Sequence, residues 1–120
     1  MFGHAMGDRV LALTGDAIRD VLRSLPEDSH RAVRLGGEEF AIVIDRPEEA
    51  LAASVADDLL AAIAAISAEL DTKGLAVSAS IGRARWRSGQ RFSQALQAAD
   101  EALYRAKETG RNRIVALQAS

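Results

Sequence analysis

Three short clusters hold the residues best suited to chemistry. The first is Arg34 to Ile44, RLGGEEFAIVI, where Gly36, Gly37, Glu38 and Glu39 sit between two apolar, β-branched stretches. Such hairpin tips turn readily on Asn-Gly or Asp-Gly, so adjacent carboxylates need a reason. Gly-Gly reaches positive φ, turns tightly and leaves room above the turn for a ligand. In an extended chain Glu38 and Glu39 point to opposite faces, so they do not chelate one ion from one side. Oxygen ligands of this kind suit Mg²⁺, commonly held by one or two carboxylates plus substrate phosphates. A solvated turn with two surface glutamates is the plain alternative.

The second cluster is Lys107 to Arg113, KETGRNR. Lys107 falls in the last turn of a helix that Gly110 ends, and Arg111 follows. Two cations four positions apart can grip a polyphosphate, the arginine bidentately. Basic residues in a last helical turn also complement the helix dipole with no ligand at all. The third cluster is GHAMGD, residues 3 to 8. Gly3 and Gly7 permit close approach. Asp8 can accept twice from a guanine, through N1–H and the exocyclic amine, or can serve as a helix N-terminal aspartate. His4 by itself is no metal site.

The elements that must position these clusters follow from periodicity. Apolar residues from Asp8 to Leu25 fall at three-and-four spacing, an amphipathic helix ended by Pro26 and the polar stretch after it. Residues 31–35 and 39–45 read as two strands of a hairpin. Asp45 can cap a helix with Pro47 near its first turn, running to about Leu70. LAVSASIGR, 75–83, alternates as a strand. A helix from Phe92 or Ser93 to Thr109 has Gly110 as its C-terminal stop, and 112–117 closes as a strand. Trp86 and Phe92 bracket the loop before that helix as packing residues. The order α-β-β-α-β-α-β implies an α+β sandwich, one helix-first step short of the ferredoxin-like plan, which wants a strand before the first helix.

The chain has 120 residues, the size of one domain. Its 17 acidic and 15 basic residues give a net charge of −2, which argues against binding nucleic acid by bulk charge. No cysteine is present, as suits a reducing compartment. No apolar run approaches a membrane span of about 20 residues and no signal peptide is visible at the start, so a cytoplasmic location is expected.

Together the clusters resemble the GGDEF family, the diguanylate cyclases. The matching blocks are GHAMGD at 3–8, RLGGEEF at 34–40, VSASIG at 77–82 and ADEALYRAKETGRN at 99–112. They lie in the family's order over nearly the whole chain, 1–120 reading as a single domain of this type. The resemblance implies a nucleotidyl-cyclase-type sandwich that condenses two GTP into cyclic di-GMP and pyrophosphate with Mg²⁺ or Mn²⁺. Two domains, each holding one GTP, would face each other as a homodimer, under an upstream sensory domain. It implies that Glu38 is the metal-binding acid and Glu39 the second acid of the active site. Gly36 and Gly37 would give the nucleotide clearance, Asp8 would recognise guanine, and Lys107 and Arg111 would neutralise the triphosphate.

The family's first strand, with its second metal-binding aspartate, and the Phe-Lys-x-x-Asn-Asp segment before Gly-His have no counterpart in this sequence. The expectation is a domain lacking that strand, with weak or no cyclase activity on its own; a degenerate GTP-binding sensor and a dimerisation module are the alternatives. The family's Arg-x-x-Asp feedback site is replaced by Glu27 and His30, so no product inhibition is expected there.

Overall fold

The computed structural model describes residues 3–36, 39–45, 47–70, 77 and 79–118. Its elements are α1 (Gly3–Leu22), a 3₁₀ turn (Glu27–Ser29), β1 (His30–Gly36), β2 (Glu39–Ile44), α2 (Glu49–Ala64), α3 (Ile66–Leu70), β3 (Ile81–Arg85), α4 (Phe92–Glu108) and β4 (Ile114–Gln118). This is an α+β fold in the expected order, with the second helix divided in two. The chain forms two compact units, 1–77 and 78–120.

In the first unit α1 packs on α2, and Ile18 and Leu22 of α1 and Val55, Leu59 and Ile63 of α2 are buried. Each set repeats every four residues, so each helix presents one apolar stripe. Burying such side chains stabilises by roughly 1.5–3 kcal/mol apiece. α3 adds Ile66 and Leu70 to the core. It also places Ser67 so that its Oγ accepts the Val77 amide at 2.6 Å. Glu49–Leu70 is, contrary to the sequence expectation, long and apolar enough by composition to cross a membrane. It carries exposed Asp57 and Asp58 in its middle and buries its other face against α1.

β1 and β2 form an antiparallel hairpin, closed at its base by the Asp45 amide donating to the Ser29 carbonyl at 2.6 Å. α2 begins only at Glu49, four residues on, so Asp45 is not the helix cap expected of it. Glu48 takes that place in extended conformation, and Pro47 lies before the helix. α1 likewise begins five residues before Asp8, which puts Asp8 inside the helix and not at its cap.

In the second unit, β3 and β4 pair in parallel from Ile81 opposite Ile114, with α4 packed on both. The pairing begins later than alternation suggested for 75–83, of which 75, 76 and 78 lie outside the described residues. Alternation marks a strand-like face but not where a partner's ladder starts. At β4 the chain is still turning at Asn112, which has φ +46°, so the strand starts at Ile114. Gly82 lets α4 sit directly on β3: a Cβ there would collide with the Leu103 amide nitrogen and the Ala99 carbonyl oxygen. Ala102 and Ala106 on the facing side of α4 are fully buried, small residues that hold the same close spacing. Trp86 and Phe92 pack on each other, ring centroids 5.3 Å apart. The Trp86 indole nitrogen donates to the Gln90 carbonyl at 2.8 Å.

Candidate active site

The acidic hairpin tip is built by register. Arg34 pairs with Phe40 and Gly36 with Glu39, so Leu35 is an extra residue, a bulge on β1. Bulges twist and re-aim a strand end. Gly36 has φ +147°, a conformation that favours glycine, and a Cβ there would meet nothing within 4 Å. Glycine is thus set by backbone shape, and the space beside it is open. The Gly36–Glu39 pair leaves a two-residue connection, Gly37-Glu38, which lies outside the described residues. Glu39 is exposed at the first position of β2. On α1, Asp8 is exposed, and a Cβ at neighbouring Gly7 would also meet open space.

The cationic end of α4 is built by a helix stop. Thr109 is the C-cap, and its amide donates to the Arg105 carbonyl at 2.9 Å. Gly110 follows at φ +137°. The Arg111 amide then reaches back to the Ala106 carbonyl at 2.8 Å, the six-to-one bond of a Schellman motif. Arg111 and Asn112 are held at φ +60° and +46°. Left-handed backbone is costly for residues with a Cβ, so the direction in which Arg111 leaves the helix is fixed against its own preference. Lys107, half-buried, lies one turn earlier.

A supporting residue not singled out in the sequence completes this end. Arg113 Nε donates to the Arg111 carbonyl at 3.2 Å. Its guanidinium lies over Gly110, where a Cβ would strike it. The only sequence signal for it was its place in the RNR run after the stop glycine.

The structure therefore pairs Gly36 with Glu39 across the hairpin, and places Lys107 in the last turn of α4 with Arg111 just beyond the helix stop. Among the described residues, no three His, Asp or Glu side chains converge as a metal cluster. Glu38, the carboxylate expected to bind metal, lies outside the described residues. Glu27 is exposed in the 3₁₀ turn. His30, at the start of β1, has a buried Nδ1 with no hydrogen-bond partner.

A family model described as the diguanylate cyclase GGDEF domain matches residues 1–113. The chain belongs to the GGDEF family. This GGDEF chain is 31% identical over 114 residues to diguanylate cyclase A of Treponema denticola, covering 94% of this chain and 30% of that protein. It is 33% identical over 117 residues to diguanylate cyclase DgcM of Escherichia coli K12, covering 97% and 27%. It thus spans under a third of these relatives. Among solved structures, it resembles the diguanylate cyclase SiaD of Pseudomonas aeruginosa, crystallised with its activator SiaC. The TM-score is 0.84 at 32% identity, over 97% of this chain and 43% of that one. The active GGEEF domain of a Vibrio cholerae diguanylate cyclase gives a TM-score of 0.76 at 27% identity, over 99% and 73%.

Proposed function

We propose that this GGDEF chain is one half-site of a cytoplasmic diguanylate cyclase, working as a homodimer under an upstream sensory domain. The observation that carries the reading is the hairpin tip. Gly36 in glycine-favouring backbone is paired with Glu39 across a two-residue acidic connection, with open space beside it.

The chemistry assigned to each residue follows from its type and place. Asp8 accepts two hydrogen bonds from guanine and orients the base. Gly36 and Gly37 admit the ribose and phosphates. Lys107 and Arg111 at the end of α4 neutralise the triphosphate, the arginine with its fixed fork. A 3′-hydroxyl from the opposing nucleotide attacks the α-phosphorus in line, the new O–P bond forming as the bond to pyrophosphate breaks. Most of the rate then comes from positioning and charge neutralisation. Glu38 would hold a Mg²⁺ or Mn²⁺, which would supply further neutralisation of the developing charge. Glu39 is the second acid beside it.

The test is production of cyclic di-GMP from GTP by the full-length protein, followed by chromatography, with Glu38→Gln and Asp8→Asn alongside. Glu38→Gln is expected to lower turnover by at least about a hundredfold. Asp8→Asn should raise KM for GTP, because an amide cannot accept both guanine donors. GTP binding with no product in the unaltered protein would replace this reading with that of a nucleotide sensor.

A further inference from the structure

Charge is unevenly divided along the chain, and two surface patches run against the local sign. Residues 78–120 contain eight cations but just three acidic side chains, Asp100, Glu101 and Glu108. All three line one shallow depression on the outer face of α4, around Tyr104, with Arg105 as the one cation beside them. Tyr104 is 62% exposed, the most exposed large hydrophobic side chain among the described residues. Its hydroxyl is hydrogen-bonded to Glu108.

Residues 1–77 show the reverse. They contain fourteen acidic side chains and seven cations. Four of those seven, Arg19, Arg23, Arg31 and Arg34, line a groove of about 620 Å³ between α1 and β1, together with Ile18 and Phe40. Glu27 is the one carboxylate lining it. Arg19 and Arg23 are paired with Asp16 and Asp20 at 3.4 and 3.0 Å, on an open helix face. Exposed pairs of this kind are worth little, so both arginines can take up other partners.

The patches match in sign, and each combines charge with an apolar centre. A helix laid in a groove buries such a centre and surrounds it with charge. We propose that the groove between α1 and β1 seats the exposed Tyr104 side chain and the surrounding face of α4 from a second copy of the chain. The phenol ring enters between Ile18 and Phe40, and the three carboxylates meet the arginines. This contact uses none of the residues given nucleotide roles above, so it forms without GTP or metal.

The test is sedimentation velocity on the full chain, free of nucleotide and metal, across protein concentrations and at roughly 0.05 and 0.5 M salt. Association is expected at low salt and should weaken at high salt. Arg19→Glu with Arg23→Glu should weaken it about tenfold or more, as should Glu101→Arg with Glu108→Arg. Mixing the two variants should restore a complex that neither forms alone, and Tyr104→Ala should weaken association without a charge change. Circular dichroism checks the fold. If the α1 variant unfolds, Arg31→Glu on β1 tests the same groove. A wild-type chain monomeric at every concentration, or variants that fail to complement, would overturn the proposal. So would charge reversals that alter sedimentation without concentration dependence, which would point to a contact within one chain.

Discussion

The amide of Arg111 donates to the carbonyl of Ala106 across the end of α4. One backbone bond thereby links a fully buried alanine to the arginine assigned to the triphosphate. The helix is packed on β3 and β4, with Ala106 buried, and ends where the exposed Arg111 leaves it. Gly110 sits between them at φ +137°.

Gly110→Ala forces an L side chain into that conformation and against the Arg113 guanidinium. The side chain of Arg113 is free to yield, but the backbone is not. A loss of about 1–2 kcal/mol is expected, read as a lower urea midpoint.

Arg111→Gly separates stability from function. Glycine accepts φ +60° without strain, so the urea midpoint should hold or rise. Loss of the guanidinium should weaken GTP binding by about tenfold, the scale of one charge-assisted hydrogen bond. Calorimetric titration with GTP measures the second effect. A midpoint that falls with GTP binding unchanged would contradict both assignments.

Gly82→Ala should be worse than its one carbon suggests. The new Cβ meets backbone atoms of Leu103 and Ala99, so α4 itself must lift from the strand. Overpacking of this kind costs about 1–3 kcal/mol. Thermal unfolding monitored by circular dichroism reads it, and Gly7→Ala, facing open space, is the control expected to be far milder.

Tyr104 should titrate above its ordinary value of 10.0, chiefly because its hydroxyl donates to Glu108 and secondarily because phenolate is repelled by that carboxylate. The raised value means this contribution to stability is present below the ordinary phenol range. It is lost as pH rises through the folded-state value. Ultraviolet titration should show the shift, and Glu108→Gln should move Tyr104 back toward 10.0.

Much of this was legible in the sequence, for local reasons. The stop at Gly110 and the apolar stripe of α4 are encoded within a few residues. So is the Gly36 turn, although its bulge at Leu35 is set by pairing across the hairpin. The boundaries that moved depend on distant partners. Asp45 reads as a cap, but the hairpin extends to it and the helix starts only at Glu49, and β3 starts where Ile114 meets Ile81. At the candidate site, the acids and cations stood out by type and spacing. Arg113 did not, because its role is to hold another residue's backbone.

β1 carries a final consequence. Among the described residues it is bonded to β2 alone, and Val33 and Leu35 each stand 46% exposed along it. An open edge with apolar side chains invites indiscriminate stacking of copies into aggregates. Arg31 and Arg34 interrupt that run as gatekeepers, since stacked strands would bring their like charges together. The same arginines that make the groove beside β1 receptive to a shaped acidic partner thus also make its edge inhospitable to an identical strand.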